Sequence, residues 1–112
     1  MIILFKTSKL EKNLNNQNTM AKKFGLKRAN FLKRRLSELA AANTLEDLRN
    51  LSPARCHELK GDLKGLLSVD LDQPYRLFFE PANNPLPKKP DGGLDWKKVT
   101  MIKIVDVEDP HD

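Results

Sequence analysis

The apolar residues of this chain change their spacing part-way along, and no other feature limits its fold as tightly. Ala29, Leu32, Leu36 and Leu39 recur at the interval of a helix and run on into residues 40–42, with Lys27, Lys33 and Arg34 lying off the stripe. Beyond Arg55 the interval falls to two: Leu67, Val69 and Leu71, then Tyr75, Leu77 and Phe79, then Val99, Met101 and Val105. A helical half followed by a strand half is the order of an α+β domain, in which helices gather on one sheet and share a core with it.

The punctuation agrees. Residues 2–6 read as a first strand rather than a signal peptide, since no basic residue precedes the apolar patch and no small-residue cleavage site follows it. The asparagine-rich stretch 13–18 separates two helical pieces, and Thr19 is placed to cap the second. Asn43 and Thr44 end that helix, Thr44-Leu45-Glu46-Asp47 opens a short further turn, and Pro53 forces an extended or turning backbone. Gly61 to Gly65 and Asp72-Gln73-Pro74 are short enough for hairpin turns, whereas Pro81, Pro85, Pro87, Pro90 and Asp91-Gly92-Gly93 mark residues 80–98 as a long loop. The expectation is one α+β domain over residues 1–112: an N-terminal strand and a helical pair packed on a mostly antiparallel sheet of four to five strands.

Composition narrows the chemistry. A chain of 112 residues has room for one core, and no apolar run approaches the ~20 residues of a membrane span. With one cysteine, Cys56, and two histidines, the chain forms no internal disulfide and has almost no ligands for a structural zinc, so neither metal nor cofactor is expected and a reducing cytoplasm fits. The net charge is +5, and residues 12–37 hold eight basic side chains and no acidic one. Such a run is either a solvated helix face or a surface for a polyanion.

The order of strand and helical pair, the segment Arg35-Leu36-Ser37-Glu38-Leu39 with Thr44-Leu45-Glu46-Asp47-Leu48 after it, His57-Glu58-Leu59-Lys60-Gly61-Asp62, and the strand Tyr75-Arg76-Leu77-Phe78-Phe79 together resemble the HigB-type branch of the RelE/ParE toxin superfamily. The resemblance covers nearly the whole chain. It implies a RelE-like fold and a type II toxin that cuts translated messenger RNA in the ribosomal A site without a metal. It also implies a cognate helix-turn-helix antitoxin that silences the toxin and alone carries the complex to operator DNA. HigB-like members often end in Asp-Tyr-His; the match here is Asp109-Pro110-His111, with proline in place of the tyrosine, and a second register puts Asp106-Val107-Glu108 on the motif.

Cutting RNA without a metal requires a base for the 2′-hydroxyl proton, an acid for the leaving oxygen and cations for the phosphorane. His57 and His111 are the only imidazoles, and with Asp109 and Arg76 they form the candidate catalytic set. Lys60 and Lys64, flanking the Gly61-Asp62 turn, and Lys27, Arg28, Lys33 and Arg34 of the basic helix are candidate RNA contacts. Each has a plainer reading. His57 is alternatively a half-buried strand residue bonded to backbone, Arg76 a partner of Asp70 or Glu80, His111 a tail residue, and the lysines solvated side chains. Cys56 reads as an inert thiol, and Tyr75 and Trp96 as core or loop anchors unless exposed for base stacking. The competing function is a RelE/ParE-fold module that does not cleave: a topoisomerase poison, or an inactive toxin that binds antitoxin and operator DNA.

Overall fold

The computed structural model describes residues 1–108. Strand β1 (Ile2–Phe5) leads into helices α1 (Ser8–Leu14), α2 (Gln17–Phe24) and α3 (Leu26–Ala41). After 3-10 turns at Leu45–Asn50 and Ser52–Ala54 come strands β2 (His57–Glu58), β3 (Leu67–Asp70), β4 (Arg76–Pro81) and β5 (Met101–Glu108). They form one five-stranded sheet in the order β1-β5-β4-β3-β2. From β2 to β5 successive strands pair antiparallel, and β1 closes the edge parallel to β5. The α+β, mostly antiparallel architecture expected from the change of spacing is the one observed. No helix among the described residues is long and apolar enough to cross a membrane.

The helical half departs from the expected pair: three α-helices stand among the described residues. The first break falls in the asparagine run, as expected, but Asn16 and not Thr19 caps α2. The Asn16 side chain accepts from the amides of Asn18 and Thr19, at 2.8 and 3.4 Å. The Thr19 hydroxyl donates instead to the Lys12 and Asn16 carbonyls, at 3.0 and 2.9 Å, and so ties the end of α1 to the start of α2. The second break is Gly25, with φ +85° and ψ 156°, a backbone that costs glycine little and residues with a Cβ considerably more.

A single apolar cluster joins the inner side of α3 (Ala29, Leu32, Leu39) and the first 3-10 turn (Leu45, Leu48) to one face of the sheet through Leu67, Val69, Leu77, Phe79, Ile102 and Ile104. Two expectations for the strand half are corrected. The inward residues of β5 are Ile102 and Ile104 rather than Met101 and Val105, and a slip in the pairing between Phe78 and Phe79 then puts Asp106 opposite Phe78 and brings Val107 opposite the inward Leu77. The long loop after β4 also carries structure of its own: Lys88 bridges Leu94 around the glycine turn, and a 3-10 turn at Trp96–Lys98 brings Trp96 into the core.

Part of the basic run turns inward. Arg35 is buried, donating from Nε to the Asp70 carbonyl at 2.7 Å and from Nη2 to the Pro53 carbonyl at 2.9 Å, while its Nη1 meets Glu38 Oε1 at 3.0 Å. A buried guanidinium is tolerable when its donors are met in this way, and here it fastens α3 to the end of β3. Cys56 packs against the core cluster, and burial, opposed in part by the charge of Arg49 and reinforced by Glu58, pushes its thiol up to about 12.

Two measurements check this packing. Urea unfolding of Arg35→Ala should show a loss of about 3 kcal/mol, since two buried carbonyls lose their donor, whereas Arg34→Ala, one position along on the exposed side, should stay within about 0.5 kcal/mol of the parent. At pH 8 iodoacetamide should label native Cys56 far more slowly than the urea-unfolded chain, because the folded thiol stays protonated there; equal rates would contradict the buried placement.

Candidate functional site

The helices cover one face of the sheet, and the register fixes what stands on the other. His57 lies opposite Ser68, Ser68 opposite Phe78 and Phe78 opposite Asp106; one row along, Asp70 lies opposite Arg76 and Arg76 opposite Glu108. Cross-strand partners share a face, so all of these alternate with the core-facing Leu67, Val69, Leu77 and Phe79 and point away from α3. His57 and Arg76 therefore occupy the same side of the molecule. They stand two strands and two residues apart, about 12 Å between backbones at ~4.8 Å per strand and ~3.3 Å per residue, which an arginine and an imidazole can close upon one nucleotide.

The backbone before β2 sets the histidine. Arg55 adopts a left-handed conformation, φ +46° and ψ 53°, and its carbonyl stands 2.9 Å from His57 Nδ1. A carbonyl only accepts, so Nδ1 carries the proton and, in the neutral ring, the lone pair belongs to Nε2. The bond to backbone anticipated in the plain reading of His57 thus exists, and it leaves one defined nitrogen able to take a proton.

Asp70 organises the arginines. Its carboxylate, 4% exposed, accepts from Gln73 Nε2 at 3.0 Å and lies 3.2 Å from Arg55 Nη1 and 3.5 Å from Arg76 Nε. The last contact is close enough for an ion pair but is not a hydrogen bond: Asp70 Oδ1, Arg76 Nε and the nearby Ser68 hydroxyl are buried without a hydrogen-bond partner among the described residues. Arg76 is thus tethered by charge, with its Nε–H unmet. Of the two plain partners weighed for Arg76, Asp70 is its neighbour, while Glu80 stands 3.8 Å from Lys103.

The remaining candidates divide. Lys60 and Lys64 are exposed at the tip of the β2–β3 connection, beyond the His57 row from Arg76, so cations stand to either side of the imidazole. Lys27, Lys33 and Arg34 project from the outer side of α3, away from that face, with Lys33 Nζ 3.5 Å from Gln17 Oε1. Arg28 forms a two-pronged pair with Asp72, at 3.1 and 3.2 Å, and stacks 3.3 Å above the Tyr75 ring. Trp96 is buried, donates to Glu58 Oε2 at 3.0 Å and lies 4.0 Å beneath Arg49. Neither large aromatic is open for base stacking. Asp109 and His111 lie outside the described residues; Asp106, from the second register of the terminal motif, stands exposed in the His57 row. Three participants escaped the sequence reading. Arg55 carries no mark except adjacency to His57, Ser68 none, and Asp70 was visible only as a possible partner of Arg76.

A family model described as the RelE-like toxin of the type II toxin-antitoxin system HigB matches residues 4–88. No curated relative matches the chain. The matched span runs from β1 through β4 into the following loop and takes in His57, Lys60, Lys64 and Arg76. It covers well over half of the chain, on the fold that such a toxin requires, and this chain belongs to the HigB-like family of RelE-like toxins of type II toxin-antitoxin systems.

Proposed function

We propose that this toxin is a ribosome-dependent endoribonuclease that cleaves translated messenger RNA and is silenced by a cognate helix-turn-helix antitoxin, through which alone it reaches operator DNA. One observation carries the reading: the Arg55 carbonyl holds His57 Nδ1–H and frees Nε2 on the same sheet face as Arg76.

The chemistry follows from those groups. His57 Nε2 takes the proton of a ribose 2′-hydroxyl, the oxygen attacks the adjacent phosphorus, and the guanidinium of Arg76 draws off the charge growing on the phosphorane. The bond to the 5′-oxygen breaks, leaving a cyclic 2′,3′-phosphate and a 5′-hydroxyl once that oxygen gains a proton. His111 with Asp109 is the proposed source of that proton, and Lys60 and Lys64 hold the strand on the far side of the cut. A message fixed in the decoding site is already close to in-line geometry, a contribution worth several orders of magnitude when orientation is tight. Lys27, Lys33 and Arg34, on the outer side of α3, suit a second contact: ribosomal RNA, or an acidic antitoxin segment that blocks it.

A non-cleaving RelE/ParE-fold module is favoured by one observation, the proline at position 110 where the family motif carries tyrosine. Primer extension on a message translated in a cell-free extract separates the two. New 5′ ends within the reading frame are expected with the wild-type protein, and reduced by at least about 100-fold with His57→Ala or Arg76→Ala. No new ends, or ends undiminished in both variants, would overturn the nuclease reading.

A further inference from the structure

Of the two guanidiniums on Asp70, Arg76 alone belongs to the proposed catalytic set, yet Arg55 is the one nearer the histidine. Arg55 lies just before β2, at the end of the 3-10 turn Ser52–Ala54, and its Nη1 pairs with Asp70 Oδ2 at 3.2 Å. Asp70 and Arg76 thus form one row and His57 belongs to the next, with the Arg55 side chain reaching Asp70 from the β2 side. Arg55 stands two residues before His57 in the chain, at most about 7 Å of backbone, against about 12 Å for Arg76.

Charge points the same way. Asp70 is one buried carboxylate against the two guanidiniums that it meets. The β5 side of the face presents the exposed Asp106, which disfavours an anion at that edge relative to β2 and β3, where Arg55 lies. The Arg55 side chain is 62% exposed although its Nη1 meets Asp70, and a guanidinium carries five donors. Its backbone is held in a left-handed conformation, uncommon for a residue with a Cβ.

We propose that Arg55 is a second phosphate-binding residue, paired with Arg76 through Asp70, so that the two guanidiniums grip the phosphodiester of a single-stranded RNA from either side of one carboxylate. The proposal rests on the RNA-cleaving reading above and adds a residue to it. Arg55 then has two separable functions: its carbonyl orients His57, and its side chain takes the phosphate.

Arg55→Gly separates them, because glycine adopts the left-handed backbone without strain and keeps the carbonyl while losing the side chain. Binding of a short single-stranded RNA with 2′-O-methyl riboses, followed by fluorescence anisotropy across a salt series, provides the readout independently of cleavage. Arg55→Gly is expected to bind about tenfold more weakly at low salt, with the slope of log affinity against log salt shallower by about 0.7, one phosphate contact on a single strand. Arg55→Lys should restore most of that slope. Arg55→Asn, which also tolerates a left-handed backbone, serves if the glycine variant does not fold. Wild-type affinity and slope in the glycine or asparagine variant, with the parent still cutting messages in the extract, would overturn this proposal alone. A parent that neither binds the strand nor cuts would overturn the nuclease reading and this proposal together.

Discussion

Both halves of the molecule meet at Asp70. Its carbonyl accepts the buried Arg35 of α3, and its carboxylate gathers Gln73, Arg55 and Arg76 on the opposite face of the sheet. One residue thus fastens the helical layer to the end of β3 and sets the spacing of the charged groups beyond it. A carboxylate buried to this extent would destabilise the fold if it stood alone. Flanked by two guanidiniums and held by the Gln73 amide it becomes a fixed point, and the arginines that it tethers by charge lose part of their freedom before any ligand arrives, which lowers the ordering cost of binding.

The sheet separates two kinds of work. On its inner face Leu67, Val69, Leu77, Phe79, Ile102 and Ile104 close the core against α3 and the first 3-10 turn. On the outer face the same strands present His57, Ser68, Asp70, Arg76 and Asp106 between them, with only Phe78 apolar among the central positions. β3 is buried throughout, although Ser68 and Asp70 alternate with Leu67 and Val69, so polar groups stand in a setting where charge interactions are screened less than at an open surface. A site on paired strands is also held more rigidly than one on loops, which suits chemistry dependent on geometry. The basic helix projects its unpaired cations away from this face, so the molecule presents two charged surfaces with different neighbours.

The fold was legible in the sequence because its strongest signals are periodic. The stripe through Ala29, Leu32 and Leu39 and the alternation through Leu67, Val69, Leu77 and Phe79 each report one face of one element, and tertiary packing agrees with both. What escaped depends on a single backbone angle or a single register step. Gly25 divides the helix by adopting a positive φ that a helical pattern does not display, and the slip between Phe78 and Phe79 puts Val107 rather than Asp106 opposite the inward Leu77. The site was partly legible for the same reason. Alternation puts Arg76 on the face away from Leu77, and the Leu59-Lys60-Gly61-Asp62 context singles out His57, but the fold-back of Arg55 onto Asp70 comes from a left-handed turn that composition does not reveal. The eight-residue basic run misled in another way: Arg28 and Arg35 are long enough to reach past the helix surface, one to Asp72 and the other to two carbonyls, so a count of charges overstates the cations available.

The central claim is that the outer face of the sheet, and not the basic helix, receives the scissile phosphate. Chemical-shift mapping of the nitrogen-labelled toxin, titrated with a short RNA blocked at its 2′-oxygens, tests that claim most directly. The amides of residues 55–57, 68–70 and 76–78 should move together and saturate at one ligand concentration, with residues 27–34 nearly still. Shifts concentrated on residues 27–34, with the sheet unmoved, would contradict it.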